Sequence, residues 1–425
     1  MLLLALVIAS MQTDTSALGP PPRLSLQTVV ARTLTYSPGI ASAHGAVRDA
    51  SAARRVALGA YLPSLALASS AGWTDPSSPA ALSSATSTNT YGAGVAASLD
   101  LFTGGRRGAQ RSAADAEARA ADAGWVFERY ATVFTAKQGY FAVLRARELV
   151  RVAEEFVAAA DLGLTYAADR EATGTATRSD VLRARLAVAA ARRQWLAADD
   201  TLAMAGAALG RLVGADGPVD AEPLASLDPT PLALSDSALR EIAPALAPLV
   251  VAADAQAVAG AALVRSSKSQ YVPTISAGTG YNWANATSTS GVGATRTGWV
   301  FAITTSFPLF NGFVREASVT HAEAVADVAR VASADTRRFT RAEVQRLLGN
   351  LHVAEQDIGL TSESVRLARE DLRVIQSRYH AGIATILDVL ASQTALVQSE
   401  LDLVSAQFSY QLARASLEAL LGRDL

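Results

Sequence analysis

The sequence repeats itself at an offset of about 208 residues, and this repeat limits the possible folds more than any other feature. In residues 344–379, mostly apolar residues recur at strict seven-residue intervals, and residues 136–171 carry the same interval. Each series leads into a similar turn, residues 174–182 and 382–390, in which Gly, Thr, Asp, Val and Leu coincide. One structural unit is therefore predicted to occur twice in the chain.

Each copy begins with two stretches in which apolar residues alternate with small or polar ones. They are residues 60–73, 91–101, 274–283 and 299–309. Alternation indicates strands with one apolar face, and about ten residues cross a bilayer when the strand is tilted. Four aromatic residues lie beside polar loops and form a candidate membrane girdle: Trp73, Tyr91, Trp283 and Trp299. Transmembrane strands are predicted, and a β-sandwich hairpin, which also alternates, remains the alternative.

Four strands cannot close a barrel, and open edges are not tolerated in hydrocarbon, where each unpaired backbone group costs several kcal/mol. Strands that span a membrane here must therefore come from more than one copy of the chain. Two copies would supply eight strands, and three would supply twelve, enough to leave a lumen.

The remainder of each copy is predicted to be a hairpin of long helices. No proline interrupts residues 105–172 or 313–380, so each helix would be roughly 100 Å long. The seven-residue period imposes a left-handed supercoil on packed helices. A helical hairpin of this kind also fits a non-channel coiled-coil protein, such as a periplasmic adaptor, although that class leaves the four alternating strands unexplained.

The two turns carry the sharpest polar pattern. Thr177-x-x-Asp180 and Thr385-x-x-Asp388 each follow a glycine, Gly174 or Gly382, and are typical of helix N-caps. In a ring of protomers the same aspartates would surround an opening, as the acidic rings of cation-selective pores do.

Composition excludes several other functions. The net charge of −2 gives no electrostatic basis for nucleic-acid binding. The chain has no cysteine, its four histidines lack ligand spacing, and no nucleophile–base pair or phosphate loop occurs. We therefore expect neither an enzyme nor a site for a metal or cofactor. The apolar residues 2–10 predict a secretory signal.

From residue 25 to residue 421 the chain resembles the TolC-like outer-membrane efflux family. The resemblance rests on four short pieces taken together and in order. They are Ser25-Leu26 through Ser37-Pro38, Tyr61-Leu-Pro-Ser-Leu65, Leu101-Phe-Thr-Gly-Gly-Arg106 and the two Gly-x-x-Thr-x-x-Asp-Val-Leu turns.

This resemblance implies a mixed α and β membrane protein that forms a homotrimer. Twelve strands would form a barrel in the lipid of the outer membrane, and twelve helices would form a long periplasmic α-helical barrel. The trimer would be a passive exit duct that docks with a periplasmic adaptor and an inner-membrane transporter, for efflux or for type I export.

The resemblance also assigns roles at the helix turns, which would form a closed periplasmic entrance. Ser179, Asp180, Tyr379 and Asp388 correspond to the family's closing residues. Ala384 stands where the family can have a basic gate residue, and Ala391 stands at a second acidic position. Arg178, in the other turn, is a candidate replacement for the missing base.

The repeat and the resemblance predict four regions. Residues 1–18 form a signal peptide and leader, and residues 19–214 form the first structural repeat. Residues 215–240 form a linker at mid-height of the helical barrel, and residues 241–425 form the second repeat.

Overall fold

Two hairpins of long helices and one antiparallel sheet account for most of the protein. The computed structural model describes residues 21–74, 88–224, 226–288 and 295–425, so the predicted signal peptide lies outside the described residues. The elements are β1 Arg23–Leu24, α1 Leu26–Tyr36, α2 Pro38–Gly59, β2 Ser64–Thr74, β3 Thr88–Phe102, α3 Arg106–Ala172, α4 Arg178–Leu212, β4 Asp220–Ala221, α5 Asp236–Leu246, α6 Pro248–Lys268, β5 Thr274–Ser288, β6 Arg296–Ser306, α7 Val314–His380 and α8 Ile386–Leu421.

The chain divides into two compact units. The helical unit comprises Met1–Ala41, Phe127–Glu241 and Ala342–Leu425. The sheet unit comprises Ser42–Val126 and Ile242–Arg341.

The sheet unit contains one four-stranded antiparallel sheet in the order β2-β3-β5-β6. Leu67 lies opposite Val95, which in turn lies opposite Tyr281. Tyr281 then lies opposite Trp299 on the last strand. Because directly paired residues point to the same face, the apolar residues of all four strands share one face and the small residues share the other. The prediction of four alternating strands is confirmed.

Three predicted strand boundaries on the last two strands are wrong. The polar residues 284–297 suggest a loop, but β5 continues to Ser288 and β6 begins at Arg296. Backbone groups alone form the ladder there, so strand pairing does not require apolar alternation. At its other end, β6 stops at Ser306 rather than continuing to residue 309, and Pro308 just beyond lacks the N–H that a ladder needs.

The long helices match their predicted limits within one residue. Both α3 and α7 have 67 residues. Their heptad positions include a series of buried side chains: Ala146, Ala153, Ala160 and Ala167 in α3, and Val344, Leu351, Val365 and Tyr379 in α7. Small residues permit close approach of helix backbones, so the heptads form the packing seams that their spacing predicts.

Polar contacts hold the predicted linker, residues 215–240, against other parts of the helical unit. β1 and β4 form a short parallel pair, and the Asp220 carboxylate accepts from Arg23 at 3.1 Å and also from Arg147. Farther along, the Tyr410 hydroxyl donates to the carbonyl of Thr230 at 2.8 Å. The predicted linker therefore packs against the helices along its length, and α5 begins inside it.

One stretch among the described residues, Asp236–Tyr271, is long and apolar enough to cross a membrane as a helix by length and composition alone. Pro248 begins a new helix inside it. On that helix, Asp254 accepts from Ser333 at 2.5 Å and from Arg337 at 2.6 Å. A charged residue paired with a neighbouring helix is typical of a helix packed within a protein rather than one facing lipid.

Candidate functional site: the two helix turns

The turns between α3 and α4 and between α7 and α8 have the same backbone construction. In the first turn, the amides of Thr175 and Ala176 both donate to the Arg170 carbonyl, at 2.8 and 3.1 Å. Gly174 takes φ +74°, a left-handed conformation that side chains disfavour. These bonds satisfy carbonyl groups that the end of a helix leaves unpaired.

The second turn repeats this geometry. The amides of Ile383 and Ala384 donate to the Arg378 carbonyl at 2.8 and 3.2 Å. Gly382 takes φ +77°. The two turns therefore reverse the chain in the same way, as their common sequence predicts.

A reciprocal capping box starts each return helix. The Thr177 hydroxyl accepts from the Asp180 amide at 3.3 Å, while the Asp180 carboxylate accepts from the Thr177 amide at 2.9 Å. Thr385 and Asp388 make the same two bonds, at 3.3 and 2.8 Å. The predicted capping role of both aspartates is confirmed.

Capping also sets the charge state of the two aspartates. The bond from the Thr177 amide, followed by that from the Thr177 hydroxyl, lowers the pKa of Asp180 below its ordinary value. Thr385 lowers the pKa of Asp388 in the same way. Both carboxylates are therefore charged at neutral pH, and each lies at the positive end of a helix.

Tyr379 is the buried side chain of the second turn. It is 4% exposed and packs with Ile386 and Val389 in a small apolar cluster, beside Tyr166 of α3. Burial raises the pKa of its phenol. Its hydroxyl is buried and has no partner at hydrogen-bond geometry in the described part of the chain, although the nearby Arg170 side chain opposes the rise in its pKa. Tyr379 thus contributes its ring, rather than its hydroxyl, to packing between the hairpins.

Arg170 is a turn residue that the sequence did not single out. Its Nη1 donates to the Tyr379 carbonyl at 2.6 Å, and its Nη2 donates to the Thr175 carbonyl at 3.1 Å. Its guanidinium also lies 4.5 Å from the centre of the Tyr379 ring, within cation–π range. The only sequence signal was a base at equivalent places near both helix ends, Arg170 and Arg378.

The other residues predicted to act in the first turn make no hydrogen bond to Tyr379 in the described residues. Arg178 and Ser179 are exposed, and Asp180 has Arg183 as its ion-pair partner, at 3.7 Å. Within the described residues, no hydrogen bond joins Asp180 to Tyr379. The structure thus brings the second turn to Arg170 rather than to Arg178.

The four candidate girdle residues lie on the apolar face of the sheet, near the ends of its strands. Trp73 and Trp299 are 65% and 76% exposed, while Tyr91 and Trp283 are less so. No group of acidic or histidine side chains in the described ranges is arranged to hold a metal ion. The sites of interest are therefore the turns and the apolar face.

The sequence matches a known protein family and a known relative. The chain matches the family model described as "Outer membrane efflux protein" over residues 29–215 and 239–423. It is 28% identical over 396 residues to Protein CyaE of Bordetella pertussis, covering 88% of this chain and 80% of CyaE.

Solved structures share the fold at low sequence identity. The outer membrane protein VceC from Vibrio cholerae superposes with a TM-score of 0.80 at 21% identity, covering 94% of this chain and 96% of VceC. A membrane protein from Pseudomonas aeruginosa gives a TM-score of 0.80 at 22% identity, with 93% of each chain covered.

The family match covers most of the chain. It decides between the two functions considered from the sequence, in favour of the channel over the non-channel adaptor. The chain belongs to the outer membrane efflux protein family, and it is a passive export channel of the outer membrane with a large periplasmic helical part, not an enzyme.

Proposed function

We propose that the channel is a homotrimer whose sheets close into one twelve-stranded barrel. The observation that carries this proposal is the single-chain sheet, in which β2 and β6 are edge strands. Leu65 and Leu67 on β2 are 75% and 79% exposed, and Phe301 on β6 is 72% exposed. Lipid would cover this face, and a second and third copy would pair the edges, since unpaired edges are costly in hydrocarbon.

An unpaired helix surface supports the same assembly. On α7, apolar residues with the heptad spacing are exposed: Val353 at 67%, Leu360 at 70%, Leu367 at 54% and Val374 at 39%. A heptad stripe of this kind is a coiled-coil seam that lacks its partner helix. A neighbouring protomer would supply that helix and complete a twelve-helix periplasmic barrel.

Matched contacts support two structural repeats, residues 19–214 and 241–425, joined by residues 215–240. The Arg107 guanidinium lies 4.9 Å from the ring centre of Tyr61, and that of Arg315 lies 4.3 Å from the ring centre of Tyr271. These pairs occupy equivalent sequence positions, as do the two capping boxes.

We infer that the two turns form the periplasmic entrance. In a trimer, three copies of Asp180 and three of Asp388 would surround the opening, all charged at neutral pH because capping lowers their pKa. Ser179 and Arg178 are exposed at the first turn, where they could face a neighbouring protomer. Rings of carboxylates favour cations and hydrate a constriction.

Energy and cargo selection would come from partners. A periplasmic adaptor would dock on the helical hairpins, and an inner-membrane transporter would drive export through the duct. This assignment rests on the family, and it includes both efflux and type I export systems. The transported substrate would be selected by the transporter rather than by a site in this chain.

The test is planar-bilayer conductance of the detergent-purified protein, preceded by measurement of its oligomeric mass. We expect a trimer with low conductance that rises in the Asp180→Ala/Tyr379→Ala variant. A folded monomer that makes no pore would contradict the trimeric channel. A high conductance that the variant leaves unchanged would retain the channel and reject the turns as its entrance.

A further inference from the structure

We propose that Arg170 is the positioning residue that clasps the two helical hairpins of one protomer together at the entrance. This inference rests on the proposed role of the turns as that entrance. It assigns the closing contact to a guanidinium on α3 that meets the carbonyl and ring of Tyr379 on α7, rather than to a bond made by Asp180 or Ser179.

The first step of the argument is what Arg170 holds. The last carbonyls of a helix lack intrahelical donors and carry the negative end of the helix dipole. Tyr379 is the residue before the last of α7, and its carbonyl accepts from the Gly382 amide of its own turn at 3.1 Å and from Arg170 at 2.6 Å. The same guanidinium donates to Thr175, in the turn that follows α3, at 3.1 Å. One cation therefore joins the carboxyl ends of both long helices.

The second step is the use of the Tyr379 ring. Arg170 lies over this ring at 4.5 Å, and the ring is buried against Ile386 and Val389. The Tyr379 hydroxyl has no partner at hydrogen-bond geometry in the described residues. The contact therefore depends mainly on the ring and the carbonyl, and a phenylalanine would preserve both while removing only the weaker influence of Arg170 on the hydroxyl.

The third step is the matched position in the second copy. Arg378 occupies the place in α7 that Arg170 occupies in α3. Its side chain is exposed and makes no hydrogen bond or ion pair within the described ranges. Of these two equivalent bases, only Arg170 crosses between hairpins. Arg170 thereby supplies, from α3, a basic side chain near the second turn, where the family resemblance implies a base and this chain has Ala384.

The chemistry of the clasp requires arginine. A planar guanidinium can donate in two directions while stacking on a ring, whereas a lysine ammonium is a point charge on a flexible stem. Lysine should therefore restore the bond to one carbonyl but not the complete contact.

The experiment compares the bilayer conductance of Arg170→Ala, Arg170→Lys and Tyr379→Phe with that of the wild type, and Arg378→Ala serves as the matched control. We expect the ratio of open to closed channel to rise about tenfold or more in Arg170→Ala, the effect typical of losing a charge-assisted hydrogen bond. Arg170→Lys should be intermediate, Tyr379→Phe should open the channel less than Arg170→Ala does, and Arg378→Ala should stay near the wild type.

Two results would overturn the clasp while leaving the entrance intact. One is an unchanged Arg170→Ala channel beside an open Asp180→Ala/Tyr379→Ala channel. The other is a Tyr379→Phe channel as open as Arg170→Ala, which would assign the closing bond to the hydroxyl. If neither Arg170→Ala nor the double variant opens the pore, the proposed entrance fails as well.

Hydrogen exchange provides a second test, which applies even if the Arg170→Ala variant inserts poorly into the bilayer. Hydrogen exchange on the detergent-solubilised trimer should speed up at amides 381–390 in Arg170→Ala and not in Arg378→Ala. Unchanged exchange at these amides would contradict the clasp without any use of the pore.

Discussion

The two helix turns share a backbone and differ in what they bury. Both have a left-handed glycine, two amides bonded to an arginine carbonyl, and a Thr–Asp capping box. Yet the first turn has the partly exposed Glu171 where the second has the buried Tyr379. The comparison teaches that local sequence sets the shape of a turn, while one side chain decides whether that turn is held against the neighbouring hairpin.

The largest effect is expected from a substitution that removes the buried ring by which the second turn differs from the first. Tyr379→Ala deletes a buried aromatic ring from the cluster with Ile386 and Val389, which costs about 3–5 kcal/mol for comparable core substitutions. Glu171→Ala, the matched change in the first turn, should stay within about 0.5 kcal/mol. Hydrogen exchange of each turn measures the two costs separately. Equal destabilisation of the two turns would show that Tyr379 does not hold the second hairpin.

A smaller effect tests what the turns share. Gly174→Ala and Gly382→Ala each place a side chain at positive φ, at a cost of about 1–2 kcal/mol. A Cβ at Gly174 would meet no atom within 4 Å, and one at Gly382 would meet only Arg170, at 4.0 Å. Backbone strain alone therefore predicts equal losses of amide protection in the two turns.

The matched control for these glycine variants is asparagine, which tolerates left-handed backbone better than alanine. Gly174→Asn and Gly382→Asn should each recover part of the lost protection. A clearly larger loss at Gly382 than at Gly174 would mean that the second turn is also limited by its contact with Arg170.

Local features of this chain were readable from its sequence, and contacts between hairpins were not. The absence of proline and the heptad spacing predict the ends of α3 and α7 within one residue, and the Thr-x-x-Asp pattern predicts both helix N-caps. These signals depend on residues a few positions apart. The role of Arg170 is not predictable in this way, because Arg170 and Arg378 occupy equivalent sequence positions and only tertiary packing decides which of them meets a carbonyl of the other hairpin.

The same reasoning explains the errors at the strand ends. Residues 284–288 are alanine or polar residues without large apolar side chains, yet β5 continues through them. Their order comes from backbone pairing with β3, which side-chain patterns do not report. The trimer contacts proposed here belong to the same class of feature, because they depend on a surface presented to another chain.

The smallest expected effect is the response of both turns to acid. Thr177 and Thr385 lower the pKa of Asp180 and Asp388 below their ordinary value of 3.8. A lowered pKa in the folded protein means that the carboxylates stabilise the turns fully above 3.8 and lose this effect as pH falls through the lowered values. Conductance should therefore stay constant from neutral pH down to about this value and rise only below it.

Substitution of Arg170 tests whether the two turns lose the stabilising effect of their aspartates independently as pH falls. Thr177 does most to lower the pKa of Asp180, and the charges of Arg183 and then Arg170 lower it further, whereas the base that lowers the pKa of Asp388 is Arg378. Arg170→Ala should therefore move only the acid response of the first turn to higher pH, and Arg378→Ala only that of the second. Hydrogen exchange at the two capping amides, followed as pH is lowered, separates these responses. A common shift of both turns in either variant would mean that the two aspartates share one charge environment in the trimer.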